Sequence, residues 1–171
     1  MVFQENALFD SLTVAENVGF RLTEEGLADE EVEARVAEVI GFVGLSDFAD
    51  RMPSSLSGGQ RRRVGIARGM ASKPGLMLFD DPITGLDPLI ATTVDDEIIK
   101  LRDLERVTSL LVTHQIRDAF YVAEHEAVRR DGRVEIVDAD PARAAMVEFM
   151  LLNKGRIHVQ GSSASMLAST D

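Results

Sequence analysis

Residues 54–63 read Ser54-Ser55-Leu56-Ser57-Gly58-Gly59-Gln60-Arg61-Arg62-Arg63, and residues 76–82 read Leu76-Met77-Leu78-Phe79-Asp80-Asp81-Pro82. The first stretch places a hydroxyl and two glycines at the mouth of a helix. Backbone N–H groups are bare there, so an anionic phosphate can approach closely and meet the positive end of the helix dipole. The second stretch is an apolar strand ending in paired carboxylates. Acids in that position are suited to holding Mg²⁺ through water and to orienting an attacking water on a terminal phosphate. Together the two stretches point to a nucleoside triphosphate.

Five segments then fall in the order of one family. Leu56-Ser57-Gly58-Gly59-Gln60 resembles the signature motif of ABC ATPases, and residues 76–81 resemble their Walker B strand. Gln4, in Val2-Phe3-Gln4, is similar to the Q-loop glutamine, Gly85-Leu86-Asp87 to the D-loop, and His114 to the switch histidine. The resemblance runs over nearly the whole chain and implies an α/β P-loop NTPase fold of the ABC-ATPase type. It implies ATP and Mg²⁺ as cofactors. Asp80, with Gln4, would organise Mg²⁺, partly through water. Ser57, Gly58 and Gly59 would bind the γ-phosphate of ATP held by a second ATPase subunit in a head-to-tail dimer, with Gln60 orienting that loop and Asp87 communicating across the dimer. His114 would contact the γ-phosphate.

Asp81 departs from the family pattern, in which a glutamate polarises the hydrolytic water. Aspartate is one methylene shorter, and catalytic positioning is sensitive to errors of about 1 Å. Weakened hydrolysis is the expectation.

A P-loop requires G-x-x-x-x-G-K-[ST], whose lysine reaches the β and γ phosphates. The three lysines here, Lys73, Lys100 and Lys154, precede Pro74, Leu101 and Gly155. The family places its P-loop before the Q-loop, so the chain reads as an incomplete domain. Residues 5–73 are expected to form a helical signature subdomain and residues 74–171 the C-terminal part of the parallel-sheet core, with an insertion near 126–147. A complete protein would be an ATPase, and this stretch alone is expected to be inactive.

Simpler readings compete for the same residues. Ser57 and Asp87 can serve as ordinary helix N-caps, Asp80 and Asp81 as a strand-end acid pair, and His114 as a satisfied core histidine. Arg61, Arg62, Arg63 and Arg68 read as a solvated helix face paired with an acidic surface. His125 and His158 carry no motif support.

Composition narrows the partners. A net charge of -11, from 29 acidic and 18 basic side chains, opposes a nucleic-acid footprint. There is no cysteine, hence no disulfide framework or thiolate metal site. No run approaches the roughly 18 apolar residues of a membrane span, and the first residues lack the pattern of a signal peptide. The expected place is cytoplasmic, peripheral on the inner face of the bacterial inner membrane, with the membrane reached only through a partner.

Strand and helix patterns alternate as in a parallel sheet with covering helices. Ser11 or Thr13 can cap a short helix, and Asp29 opens another whose Val32, Val36, Val39, Ile40 and Val43 recur at helical spacing. Ser57 starts the signature helix, Pro88 the next, and residues 115–123 a further one. Residues 76–79 and 107–113 read as buried strands. Asp131-Gly132 and Lys154-Gly155 mark two hairpin turns, and residues 138–143 a capped helical turn.

Residues 2–18 resemble the Mla or Mce-associated subgroup, which implies phospholipid transport and a transmembrane permease subunit received by the segment after Gln4. Two alternatives stand beside it: a non-catalytic pairing module that lends its signature to a partner's ATP, and a soluble ABC-type ATPase.

Overall fold

The computed structural model describes residues 1–3 and 7–168. Gln4 lies outside the described residues. Contacts divide the chain into two compact units, residues 1–114 and 115–171.

The first unit begins with three helices in mutual contact, α1 (Val14–Glu24), α2 (Asp29–Phe42) and α3 (Gly58–Ala71). Thr13 rather than Ser11 caps α1. Its hydroxyl accepts from the Glu16 N–H while the Glu16 carboxylate accepts from the Thr13 N–H, a reciprocal arrangement that satisfies two otherwise orphaned donors. No side chain caps α2, but Asp29, Glu30 and Glu31 fill its first turn, where negative charge is favoured by the helix dipole. Its heptad-like row is buried at Val36, Val39 and Ile40, and Val43 follows just past the last turn.

Asn17, on α1, is fully buried yet fully used. Its Oδ1 accepts from the Phe9 N–H at 2.8 Å, and its Nδ2 donates to the carbonyls of Phe9, Leu12 and Thr13. That network shapes the loop leading into α1, because leaving any of these groups unpaired would cost about 1–3 kcal/mol.

Strand β1 (Leu76–Asp80) pairs in parallel with β2 (Thr108–Val112), and helix α4 (Pro88–Leu104) connects them. On the other side of β1, Val2 forms a parallel bridge with Phe79. The Val2 N–H donates to the Leu78 carbonyl at 2.7 Å, and the Asp80 N–H donates to the Val2 carbonyl at 3.0 Å. Met77 and Phe79 are buried, each stabilising the core by roughly 1.5–3 kcal/mol. Strand β2 corrects the expectation of a buried run. Leu110 and Val112 are 56% and 55% exposed. Among the described residues β2 pairs only with β1, so apolar composition did not translate into cover on both faces.

The second unit opens with α5 (Ile116–Glu124) and holds two antiparallel hairpins, β3 (His125–Arg130) with β4 (Arg133–Asp138), and β5 (Phe149–Asn153) with β6 (Arg156–Gly161). Both turn on two residues with positive φ, Asp131 at 49° and Gly132 at 77°, and Lys154 at 48° and Gly155 at 74°. That combination matches the right-handed twist of paired strands. Between the hairpins, α6 (Pro141–Ala144) is capped by Asp140, and α7 (Ser163–Ala168) closes on the β5–β6 hairpin. Phe120 of α5 lies 5.0 Å from Phe149 of β5, centroid to centroid.

Candidate functional site

The candidate residues of the first unit fall into two groups. The first is the mouth of that helix. Ser57 is the N-cap, with its hydroxyl accepting from the Gln60 N–H at 3.2 Å and the Gln60 side chain accepting from the Ser57 N–H at 2.8 Å. Gln60 is thereby occupied in fixing its own helix. The capping box serves the N–H of Gln60 and leaves the N–H groups of Gly58 and Gly59, at the first two helical positions, for an outside acceptor.

The two glycines differ. A Cβ on Gly59 would stand 2.2 Å from Ile90 Cγ2 on α4, whereas a Cβ on Gly58 would meet only the end of Leu86 at 3.2 Å. Gly59 is therefore required for the packing of α3 against α4, a role that phosphate chemistry alone did not suggest. The contacts also place the 85–87 loop beside the mouth. Asp87 caps α4, its carboxylate accepting from the Leu89 N–H at 2.9 Å.

The second group sits at the carboxyl ends of parallel strands, the side on which open α/β sheets bind ligands. Asp80 ends β1 and is partly exposed. Asp81 follows in a left-handed conformation, φ 48°, with its N–H donating to the Val112 carbonyl at 2.8 Å. Aspartate tolerates that conformation better than most residues. Two residues beyond Val112, His114 places Nδ1 at 2.8 Å from Asp81 Oδ2. The His114 side chain is 67% exposed. The core-histidine alternative is set aside by that exposure. The second oxygen of Asp81, Oδ1, is buried with no hydrogen-bond partner among the described residues.

The arginines of α3 overturn the expected solvated face. Arg62 is 3% exposed, and each of the four reaches back to main-chain oxygen: Arg61 to Leu56, Arg62 to Phe3, Arg63 to Val43 and Arg68 to Ala7. A basic triplet in sequence carries no sign of which member turns inward, since helical rotation spreads three consecutive residues over most of the circumference. Arg62 and Arg68 thereby tie α3 to the main chain at Phe3 and Ala7. Burial lowers the pKa of Arg62 from its usual value, and the Asp81 charge acts against that shift.

Among the described residues no cluster of three or more His, Cys, Asp or Glu side chains could cage a metal. Adjacent carboxylates such as Asp80 and Asp81 suit Mg²⁺, which keeps several waters and takes one or two carboxylates together with substrate phosphates. The partnerless buried oxygen of Asp81, beside Asp80, fits a site completed by a ligand.

Residues 1–84 match the ABC transporter family model. The chain has a fold of the ABC-ATPase type. It is 36% identical over 156 residues to the glycine betaine/carnitine transport ATP-binding protein GbuA of Listeria monocytogenes, covering 88% of this chain and 39% of that protein. It is 41% identical over 138 residues to the spermidine/putrescine import ATP-binding protein PotA of Pseudomonas aeruginosa, covering 81% and 38%. A dimeric structure of the ATP-binding cassette MJ0796 in a post-hydrolysis state bound to ADP and Pi matches with TM-score 0.62 and 33% identity, over 80% of this chain and 61% of that one. The fold of cbiO1 from Clostridium perfringens, part of the transporter complex cbiONQ, superimposes with TM-score 0.76 at 23% identity, over 98% and 58%. The chain spans less than half the length of these two curated relatives.

Proposed function

We propose that this chain forms part of the ATP-binding and ATP-hydrolysing subunit of an ABC transporter of the import type. The observation that carries the reading is the Asp81–His114 pair at the strand ends, with an Asp81 oxygen that has no partner among the described residues, together with a glycine mouth on α3 whose first N–H groups its capping box leaves unused. Asp81 would accept the proton of the attacking water, and His114 would hold the carboxylate and meet the terminal phosphate. Asp80, with Gln4, would ligate Mg²⁺, which supplies charge neutralisation on the phosphates. Ser57, Gly58 and Gly59 would close on the γ-phosphate held by a second subunit, with Asp87 beside them. The β and γ phosphates would be cradled by a P-loop that these 171 residues do not contain.

The named relatives transport betaine and carnitine, or import spermidine and putrescine, and a further one from Escherichia coli imports ferric iron at 37% identity. Such varied cargo on similar ATPase sequence supports small-solute import and leaves cargo choice to other subunits. The phospholipid cargo implied by residues 2–18 has no counterpart in those names. No helix among the described residues is long and apolar enough to cross a membrane. The subunit would act at the cytoplasmic face, docked to a permease. Exposed Phe9 and Phe20, whose rings lie 4.6 Å apart, supply an apolar face for that docking.

The test is Mg²⁺-dependent phosphate release by the full-length subunit reconstituted with its permease in vesicles. Release that rises with imported solute supports the reading. Tight ATP binding with no release favours the pairing-module alternative instead.

A further inference from the structure

The capping box fixes the first turn of α3 internally, but Gly58 and Gly59 have no side chains to hold that turn against the rest of the molecule. The start of α4 holds it instead. A Cβ on Gly59 would stand 2.2 Å from Ile90 Cγ2, so this methyl occupies the place of the missing side chain, and Gly59 is buried against it. For a Cβ on Gly58 the nearest atom is Leu86 Cδ2, at 3.2 Å. Both supports are themselves anchored. The Leu86 N–H donates to the carbonyl of buried Ile83 at 3.1 Å, and Asp87 caps α4 with Pro88 at its first position. The Ala91 N–H then donates to the Asp87 carbonyl at 2.8 Å, closing the turn that carries Ile90. Isoleucine branches at Cβ, which leaves a helical residue one strongly preferred χ1 rotamer, so Cγ2 is the stiff part of the side chain.

We propose that Ile90, assisted by Leu86, is a positioning residue for the mouth of α3, its Cγ2 setting where the N–H groups of Gly58 and Gly59 stand when they meet phosphate. Donors aimed at an anion work best when held in place beforehand, and an error of about 1 Å is enough to weaken them. Burial alone does not account for the side chain, because Ile90 stays 38% exposed while its branch methyl lies against bare backbone. The inference deepens the reading above, in which the mouth closes on the γ-phosphate of a second subunit's ATP, and it rests on that reading.

Two conservative variants separate position from packing. Ile90→Val loses the terminal methyl and keeps Cγ2, whereas Ile90→Leu keeps the volume and loses Cγ2, because its branch lies one carbon further out. A packing role makes Leu the milder change, as volume-conserving swaps are. A positioning role makes Val the milder one. In the full-length subunit with its permease, Ile90→Leu is expected to lower the kcat of phosphate release roughly tenfold with KM little changed, and Ile90→Val to stay within about twofold of the unmodified protein. A kcat for Leu equal to or above that for Val overturns the proposal. A second readout is independent of turnover. With an ATP analogue that resists hydrolysis, association of the full-length subunit is followed by light scattering, and Ile90→Leu is expected to need about tenfold more analogue than Ile90→Val. Equal requirements overturn the proposal. If the unmodified subunit associates and releases no phosphate from ATP, the hydrolysis reading fails by itself, and association still decides the role of Ile90. An unmodified subunit that does neither overturns both.

Discussion

The mouth of α3 and the strand ends are built in opposite ways. At the mouth of α3, everything needed lies within four residues: Ser57 and Gln60 cap each other, and Gly58 and Gly59 present their N–H groups between them. At the strand ends, Asp81, His114, Arg62 and Phe3 come from four separate segments, and the geometry includes a left-handed aspartate and polar atoms with no partner. The first arrangement is locally satisfied and serves as a preformed receptor. The second is left unsatisfied among the described residues, which is the condition of a centre completed by a ligand.

The largest expected effect is on chemistry at the strand ends. Asp81→Asn is expected to lower phosphate release by about 10²-fold or more, the usual contribution of a general base, with nucleotide affinity retained. Asp81→Glu sharpens the point. If reach is limiting, the added methylene raises turnover, whereas a fall shows that His114 already places the shorter carboxylate where it is needed. Both are read from initial rates of phosphate release.

At the mouth the larger effect is expected on stability. Gly59→Ala forces a Cβ onto Ile90 and is expected to cost about 1–3 kcal/mol, while Gly58→Ala, against the flexible end of Leu86, is expected to cost less. Urea midpoints at matched slopes measure both. Equal losses would mean that α4 yields at Ile90 and that Gly59 is present for ligand access alone. Ser57→Ala removes the cap and is expected to cost about 1 kcal/mol, read in the same way.

The smallest effect tests a buried acid of α4. Glu97, on α4, has its pKa raised, first by burial, with Lys100 at 2.9 Å acting in the opposite direction. A raised folded-state pKa means that the folded state binds more protons than the unfolded state. Stability from this group is therefore present below the unfolded carboxylate range and is lost as pH rises through the folded pKa. Glu97→Gln is expected to flatten that part of the pH–stability curve in a series of urea titrations. A slope unchanged by the substitution would assign the dependence to another group.

What the sequence made legible follows the same division. Thr13, Ser57, Asp87 and Asp140 all cap the helices that follow them, because N-caps and turns are written in a few adjacent residues. The two hairpin turns at Gly132 and Gly155 were legible for the same reason. Arg62 was not, since nothing in three consecutive arginines shows which one meets Phe3. The exposure of Leu110 and Val112 was hidden too, because an apolar β-branched run reports affinity for cover and not its presence. The motif order singled out Asp81 and His114 separately. Their direct contact depends on the register that sets Asp80 opposite Val112 and brings the residues beyond both strands together.

The central claim is that the mouth of α3 and the strand ends of one chain serve different ATP molecules across a head-to-tail dimer. The direct test mixes two full-length variants, Ser57→Arg and Asp81→Asn, each silent as a homodimer. A mixed dimer would hold one site with an intact Asp81 from one chain and an intact Ser57 from the other, so phosphate release is predicted to return on mixing. If mixed dimers form and release nothing, both ends act on the same chain's ATP, and the account is contradicted.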